Sequence, residues 1–428
     1  MPMQLSGRFL LAAVIAALAD SVLASGIQIF EQSASGLGNA YAGSAAVAED
    51  AGTIFFNPAG MTQLQAREVS VGVIGVNASC KFSDSGSNTG GLSGTGGNGC
   101  GTSVMPNGYL SWSIREDIRV GIGLGVPFGL ATDYDDPWIG GAQSLMFDIK
   151  TYNINPSIAY RVNDRVSLGF GVDWQRMSTE YTRIVGVNPV PLPPVLPIPL
   201  TSSRAKLAVD GDGWGWNVGA LVFLAPETKL GLSYRSAIKH KLDGSLSVTG
   251  PFSAFNEANT GPVTVDIKLP DTFIASLSHK LDERIEVLAD VSWTGWSAID
   301  KIEAFMASTA APVQTLDTKF DDTWRFALGV TYTLDDAWKL KVGTAYDQTP
   351  VPDAEHRMVS LPDNDRLWLS VGAQWKPAKT SAVDFGLAYP FVKDSKIDND
   401  QLATGLGRVT GSYSSRAWVF GLQYSSSF

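Results

Sequence analysis

The feature that most constrains this chain is a two-residue rhythm that recurs over most of its length. In 322–334, Trp324, Phe326, Leu328, Val330, Tyr332 and Leu334 share one face, and Arg325, Ala327, Gly329, Thr331 and Thr333 share the other. Residues 285–293 set Ile285, Val287, Ala289, Val291 and Trp293 against Glu286, Leu288, Asp290 and Ser292. Residues 338–346 do the same with Trp338, Leu340, Val342, Thr344 and Tyr346, and 367–375 with Leu367, Leu369, Val371, Ala373 and Trp375. Period two is the signature of a strand with one apolar face. A spanning helix needs roughly 18 consecutive apolar residues, and no such run exists past residue 25. The alternatives are a soluble β protein or a membrane barrel. Aromatics near the ends of the apolar rows suit girdles at two lipid interfaces.

The connections separate the two. Short turns fall at Glu116-Asp117, Asn163-Asp164, Ala225-Pro226, Asp282-Glu283, Asp335-Asp336 and 376–380. Long connections lie near 80–104, 128–147, 184–203, 241–262, 297–319, 349–365 and 390–413. The strict alternation of short and long is that of an up-and-down barrel with tight periplasmic turns and long extracellular loops. A sandwich has no reason to sort its loops by parity. The expected fold is all-β: a membrane-spanning antiparallel β-barrel of about 14 strands. "SRAWVFGLQYSSSF" ends the chain on an alternating strand whose last residue is Phe428. Such a terminal aromatic resembles the signal read by barrel-assembly machinery, which is an expected partner.

The N-terminus reads as a signal peptide, 1–24. A basic start at Arg8 precedes the apolar core "FLLAAVIAALA", and Val22 and Ala24 occupy the −3 and −1 positions before a cut at Ser25. The mature protein is therefore exported, and a barrel places it in the outer membrane of a Gram-negative cell, among lipid and lipopolysaccharide, with a monomer expected. Residues 25–66 show neither a long helix nor alternation, and their small-residue-rich run could hold short helices. The barrel is 67–428.

Composition excludes several functions. Only 17% of residues are charged and the net charge is −10, so no nucleic-acid partner is expected. The three histidines, His240, His279 and His356, lack metal-ligand spacing, so no metal and no cofactor are expected. His279 shares an apolar row with Phe273, Ala275 and Leu277, but no serine motif accompanies it, so no enzyme is expected. Cys80 and Cys100 flank a Gly-rich polar loop. An oxidising setting favours a disulfide closing it over two free thiols.

Other stretches carry candidate transport chemistry. "VNPVPLPPVLPIPLT" (187–201) exposes Leu192, Leu196 and Ile198 on a stiff, Pro-rich extracellular loop, either to capture an apolar cargo or to pack at the mouth. Phe252 and Phe255 on the next long loop could assist. "IRVGIGLGVPFG" (118–129) places Gly121, Gly123, Gly125 and Pro127 on one face of the third strand. Such a run weakens the ladder and suits a bulge or gap, or makes room for the plug. Arg183, Arg325 and Arg366 fall on inward rows, where each could meet a carboxylate or a plug acid such as Glu49 or Asp50. Asn57-Pro58-Ala59 forms a turn behind Phe55 and Phe56, which either line a passage or pack the plug.

These stretches together are similar to the FadL family of outer-membrane transporters for long-chain fatty acids, which includes TodX-type channels for aromatic hydrocarbons. The match runs from "SGIQIFEQSASGLGNAYAGSAAVAEDAGTIFFNPAGMTQL" through "PFGLATDYDDPWIGG" and "KLGLSYRSAIKHKLDG" to the C-terminal third. The resemblance implies a 14-stranded barrel whose lumen is blocked by residues 25–66 as an N-terminal plug (hatch), and an extracellular apolar groove. It also implies an internal pocket that receives the processed N-terminus (Ile27), and a gap in strand three. Hydrophobic cargo would leave through that gap by passive lateral diffusion, and Asn57-Pro58-Ala59 would sit against it. Long-chain fatty acids are the expected cargo, with aromatic or alkane hydrocarbons as the alternative, and a general porin or adhesin further off. At Asp321 the chain departs from the family, whose transporters carry a basic residue there, and this favours a neutral cargo.

Overall fold

The computed structural model describes residues 26–185 and 203–428. Residues 1–25 and the Pro-rich loop with Leu192, Leu196 and Ile198 lie outside the described residues. The chain forms β1 (Arg67–Asp84), β2 (Thr102–Ser113), β3 (Ile118–Gly125), β4 (Gly129–Asp133), β5 (Met146–Arg161), β6 (Val166–Val185) and β7 (Ser203–Ala225). It continues with β8 (Thr228–Arg235), β9 (Ile238–Thr249), β10 (Gly261–Leu269), β11 (Thr272–Lys280), β12 (Ile285–Thr294), β13 (Lys301–Met306) and β14 (Pro312–Asp317). The last six are β15 (Thr323–Thr333), β16 (Trp338–Asp347), β17 (Arg366–Ala378), β18 (Ser381–Val392), β19 (Ser395–Gln401) and β20 (Gly407–Ser427). Every pairing is antiparallel, and β20 returns to β1 from Glu68↔Ser427 to Asp84↔Gly411. Six walls consist of two segments in line (β3–β4, β8–β9, β10–β11, β12–β13, β14–β15 and β18–β19), so the segments close into a 14-strand barrel. No helix among the described residues is long and apolar enough to cross a membrane.

The expected loops near 241–262, 297–319 and 390–413 are shorter than the sequence suggests, because β9–β10, β13–β14 and β19–β20 carry the sheet well beyond the lipid. These extensions invert the usual barrel polarity. On the membrane-spanning part of β6, Leu168 and Phe170 face out, while Asp173 and Gln175 are buried. Above Trp174 the outward residue is Arg176 and the inward ones are Met177 and Tyr181. On β10, Val263, Val265, Ile267 and Leu269 are buried inward, while Asp266 and Lys268 are exposed. The outer half of the barrel is thus an apolar-lined chamber with a charged exterior.

Residues 26–66 occupy the lumen as short pieces: α1 (Ala34–Leu37), α2 (Thr53–Phe56) and a 3-10 turn, Pro58–Gln63. Ser33 caps α1 by accepting from the Gly36 amide at 3.2 Å. Small residues on both sides let backbone meet backbone. A Cβ added at Gly372 would lie 2.7 Å from Gly38 Cα, and one at Gly421 would lie 2.8 Å from Ala34 Cβ. Glu49 ties the hatch to β16 through Lys339 and Lys341, each at 2.7 Å. Asp50 accepts from Ser35 Oγ at 2.6 Å. Cys80 and Cys100 form a disulfide with a Cα separation of 5.2 Å, which clips the end of the β1–β2 loop back onto β1.

Candidate functional site

Three features meet above the hatch: an apolar chamber, an interruption of the wall, and a cation. Phe147 and Ile149 from β5, Met177 and Tyr181 from β6, Leu207 and Val209 from β7, and Val265 and Ile267 from β10 converge in one buried cluster. The void among them is about 30 Å³, room for no more than about two waters. A long apolar molecule would therefore enter by displacing side chains, and the unbranched, adaptable Met177 sits among them. Ile27 is buried in the same cluster, delivered by the first residues of the hatch. The chain there is held by Gly26 N–H, which donates to Asp363 Oδ2 at 2.9 Å.

The wall is interrupted beside this cluster. β3 pairs with β2 only from Ser113↔Arg119 to Gly108↔Leu124. Above that level β4 pairs only with β5, and Thr102–Asn107 of β2 pair only with β1. The cause is local: Pro127 has no N–H for a ladder, and Val126-Pro127-Phe128 swings inward to the hatch. There Ile29 N–H donates to Pro127 O at 2.9 Å and Gly129 N–H to Ile27 O at 2.8 Å. Gln32 Nε2 donates to Val126 O at 2.8 Å. The opening is roofed where Asp133 N–H meets Gly99 O at 2.9 Å. Asn107 on its β2 side is buried, and neither of its side-chain polar atoms has a partner.

The glycines of strand three divide from its proline. Gly121, Gly123 and Gly125 belong to β3 but make room for the hatch: a Cβ at Gly121 would lie 2.6 Å from Met61 Sδ, and one at Gly123 would lie 3.3 Å from Ile54 Cγ2. Pro127 lies in the break between β3 and β4, not on the strand. Asn57-Pro58-Ala59 does not sit against the interruption. Asn57 Nδ2 donates to Ala220 O of β7 at 2.9 Å and to Ala45 O at 2.7 Å, and its Oδ1 accepts from Ala59 N–H at 3.1 Å. A Cβ at Gly219 would fall on Asn57 Oδ1, and one at Gly169 on the Ala59 amide. The triplet is therefore a latch between the hatch and β6–β7, while Ile54 and Met61 face β3.

The aromatic and basic candidates also separate. Phe56 is buried against Phe30 and Tyr41, in the hatch interior. Phe55 lies under the Arg235 guanidinium, 4.5 Å from its ring centre. Phe255 packs on Val185, Ala205 and Val248 at the barrel mouth, with Phe252 at the start of the helix α3 (Ser253–Ala258). Arg325 donates to Ala40 O at 2.7 Å and stacks over Phe30 at 4.7 Å. Arg366 pairs with Asp363 and faces Asp347 at 3.8 Å. Burial holds the Asp363 carboxyl above its usual range even with that guanidinium beside it. Glu49 and Asp50, the plug acids expected to meet these arginines, bind Lys339, Lys341 and Ser35 instead. Arg183 is different. It lies on the inward row of β6 beyond Tyr181, opposite Ala205. Among the described residues its side chain has no ion pair and no hydrogen bond.

The chamber residues Phe147, Met177, Leu207, Val265 and Ile267 escaped sequence reading because an alternating strand reports two faces without saying which is inside. The available signal was the charged opposite row, Asp266 and Lys268 against Val265 and Ile267, which no lipid-facing strand would carry.

Comparison with known proteins gives consistent matches. The family model for outer membrane protein transport proteins (OMPP1/FadL/TodX) matches residues 15–428. The chain is 31% identical to a long-chain fatty acid transport protein of Salmonella typhi over 98% of each chain, and 30% identical to that of Escherichia coli K12 over 98% of each. Its fold resembles the crystal structure of a Pseudomonas aeruginosa FadL homologue with a TM-score of 0.86, at 24% identity, over 94% of this chain and 99% of that one. The Pseudomonas putida toluene transporter TodX superimposes with a TM-score of 0.69, at 17% identity, over 92% and 98%.

Proposed function

Because this chain belongs to the outer membrane protein transport protein family (OMPP1/FadL/TodX), we propose that it takes up long-chain fatty acids or related hydrophobic compounds by passive lateral diffusion. The observation that carries this reading is the wall interruption at Val126-Pro127-Phe128, placed beside an apolar chamber and above a tethered hatch. A hatch held by Asn57, Glu49 and Arg325 leaves the lumen closed toward the periplasm, so an apolar molecule in the chamber has a sideways route into lipid. The energetics favour that route. Each buried methylene is worth about 0.8 kcal/mol, and a chain passing from chamber to bilayer keeps that burial, whereas a watery pore forfeits it.

Arg183 supports an acid cargo. An inward guanidinium with no ion pair or hydrogen bond among the described residues is matched by a carboxylate at the outer end of an apolar tail. The neutral hydrocarbon reading draws on the charge-free lining of the chamber and on Asp321, and predicts indifference to Arg183. Labelled uptake by a deletion strain, with and without the gene restored, tests both: oleate, hexadecane and toluene are offered separately. Restoration of oleate uptake is the expected result. Unchanged uptake of all three sinks the transport reading, and restoration of the hydrocarbons alone shifts the cargo to neutral compounds.

A further inference from the structure

The outward face of the barrel changes chemistry at one level, and a pair of lysines stands just above it. Trp174 opposes Trp214 at the top of the apolar band on β6 and β7, and Trp214 is 68% exposed. The aromatic belt continues through Trp216, 5.4 Å from Tyr234, and through Phe273, which is paired with Tyr234. Beyond the breaks after β8 and before β11, Lys239 of β9 stands directly opposite Lys268 of β10. Both are exposed on the outward row, since Ile238, His240, Ile267 and Leu269 beside them are buried.

Directly opposed residues of an antiparallel pair have Cβ atoms about 5 Å apart, and like charges there repel. Among the described residues neither lysine has an ion pair or a side-chain hydrogen bond, and the nearest acid on the same row, Asp266, stands opposite Lys241. Several other cations on this exterior are paired. Arg176 holds Asp210 and Asp212 at 2.5 and 3.0 Å, Lys206 holds Glu180 at 2.7 Å, and Lys301 holds Glu303 at 2.9 Å. Two unneutralised ammonium groups, side by side at the height where belt aromatics meet headgroups, fit an anion that the membrane supplies.

We propose that Lys239 and Lys268 bind a phosphate of lipid A, the phosphorylated saccharolipid of the outer leaflet, whose acyl chains lie on Trp216, Tyr234 and Phe273. Each ammonium acts as a compact donor to one phosphate, and the shared anion turns a repulsive pair into a bridged one. The site does not depend on the transport reading.

The test uses the full barrel, purified, stripped of lipid and placed in nanodiscs. Native mass spectrometry then measures retention of bisphosphorylated lipid A and of the same lipid after phosphatase treatment. The wild type should retain the phosphorylated form at least tenfold better. K239Q/K268Q should lose that preference, K239R/K268R should keep it, and K379Q, on a periplasmic turn, should match wild type. Equal retention of the two lipids by wild type overturns the proposal. So does an undiminished preference in K239Q/K268Q, or equal competition by phosphatidylglycerol, which would mark a generic anionic patch. Should the double variant fail to assemble, K239Q alone is read in the same assay, and an unchanged preference there also counts against the site.

Discussion

Replacing Arg183 by Gln separates the two cargo readings with one side chain. The guanidinium lies on the inward row of β6 next to Tyr181, at the outer end of the chamber, with no partner of its own among the described residues. Its removal therefore breaks no tether and orphans no acid, unlike Arg325, which holds Ala40, or Arg366, which holds Asp363. Hydrogen bonds to a charged group contribute about 1.5–3 kcal/mol, equivalent to about 10- to 150-fold in affinity. The tail term, about 0.8 kcal/mol per methylene, is untouched. R183Q should therefore weaken oleate binding by about that factor and leave oleyl alcohol unchanged. R183K, which keeps a charge without the fork, should fall between. Tryptophan-fluorescence titration of the purified barrel reads both ligands. Equal oleate affinity in R183Q and wild type would refute the anchor. A parallel loss for oleate and oleyl alcohol would show that Arg183 supports the chamber and does not bind the head.

Three further outcomes follow from the same geometry. Pro127→Val restores an N–H where β3 and β4 part and should let the wall knit to β2; labelled oleate uptake should fall while the folded yield holds, and unchanged uptake would place the exit elsewhere. Asn57→Ala removes the one side-chain bond of this triplet that crosses from hatch to wall, Asn57 Nδ2 to Ala220 O, at about 1 kcal/mol, so hatch release should rise roughly fivefold; single-channel recording would show more frequent openings, and a trace like that of wild type would refute the latch. C80S/C100S opens a 20-residue separation and should cost about 3 kcal/mol, seen as a lower temperature for the heat-modifiable shift on gels.

The fold was legible because its strongest signals are local. Trp324–Leu334 and Trp338–Tyr346 alternate cleanly, since one face of each meets lipid and the other meets hatch or water, and Asp335-Asp336 between them is a turn by composition. The site was less legible because it depends on pairings remote in sequence. Nothing near Asn57 announces Gly219 as its neighbour, and nothing in "IRVGIGLGVPFG" separates glycines that receive the hatch from the proline that breaks the wall. Both roles demand the same absence of side chain or N–H. The arginines show the same limit: alternation placed all three on inward rows, but only the assembled lumen reveals that Arg325 and Arg366 are occupied and that Arg183, among the described residues, is not. The Lys239–Lys268 pair was invisible for a related reason, because cross-strand register follows from loop lengths that sequence patterning left uncertain.

The contact between Ala34 and the final strand carries an implication for biogenesis. Ala34 lies against Gly421 and donates its amide to Gln423 Oε1 at 3.2 Å, so one of the first hatch residues is held by residues that leave the ribosome last. The hatch can gather against β6 and β7 early, through Asn57, but its socket is finished only when β20 reaches β1. Sealing the cylinder and seating its stopper are then a single late event, and an intermediate that lacks the last strand would expose an unplugged lumen to the periplasm.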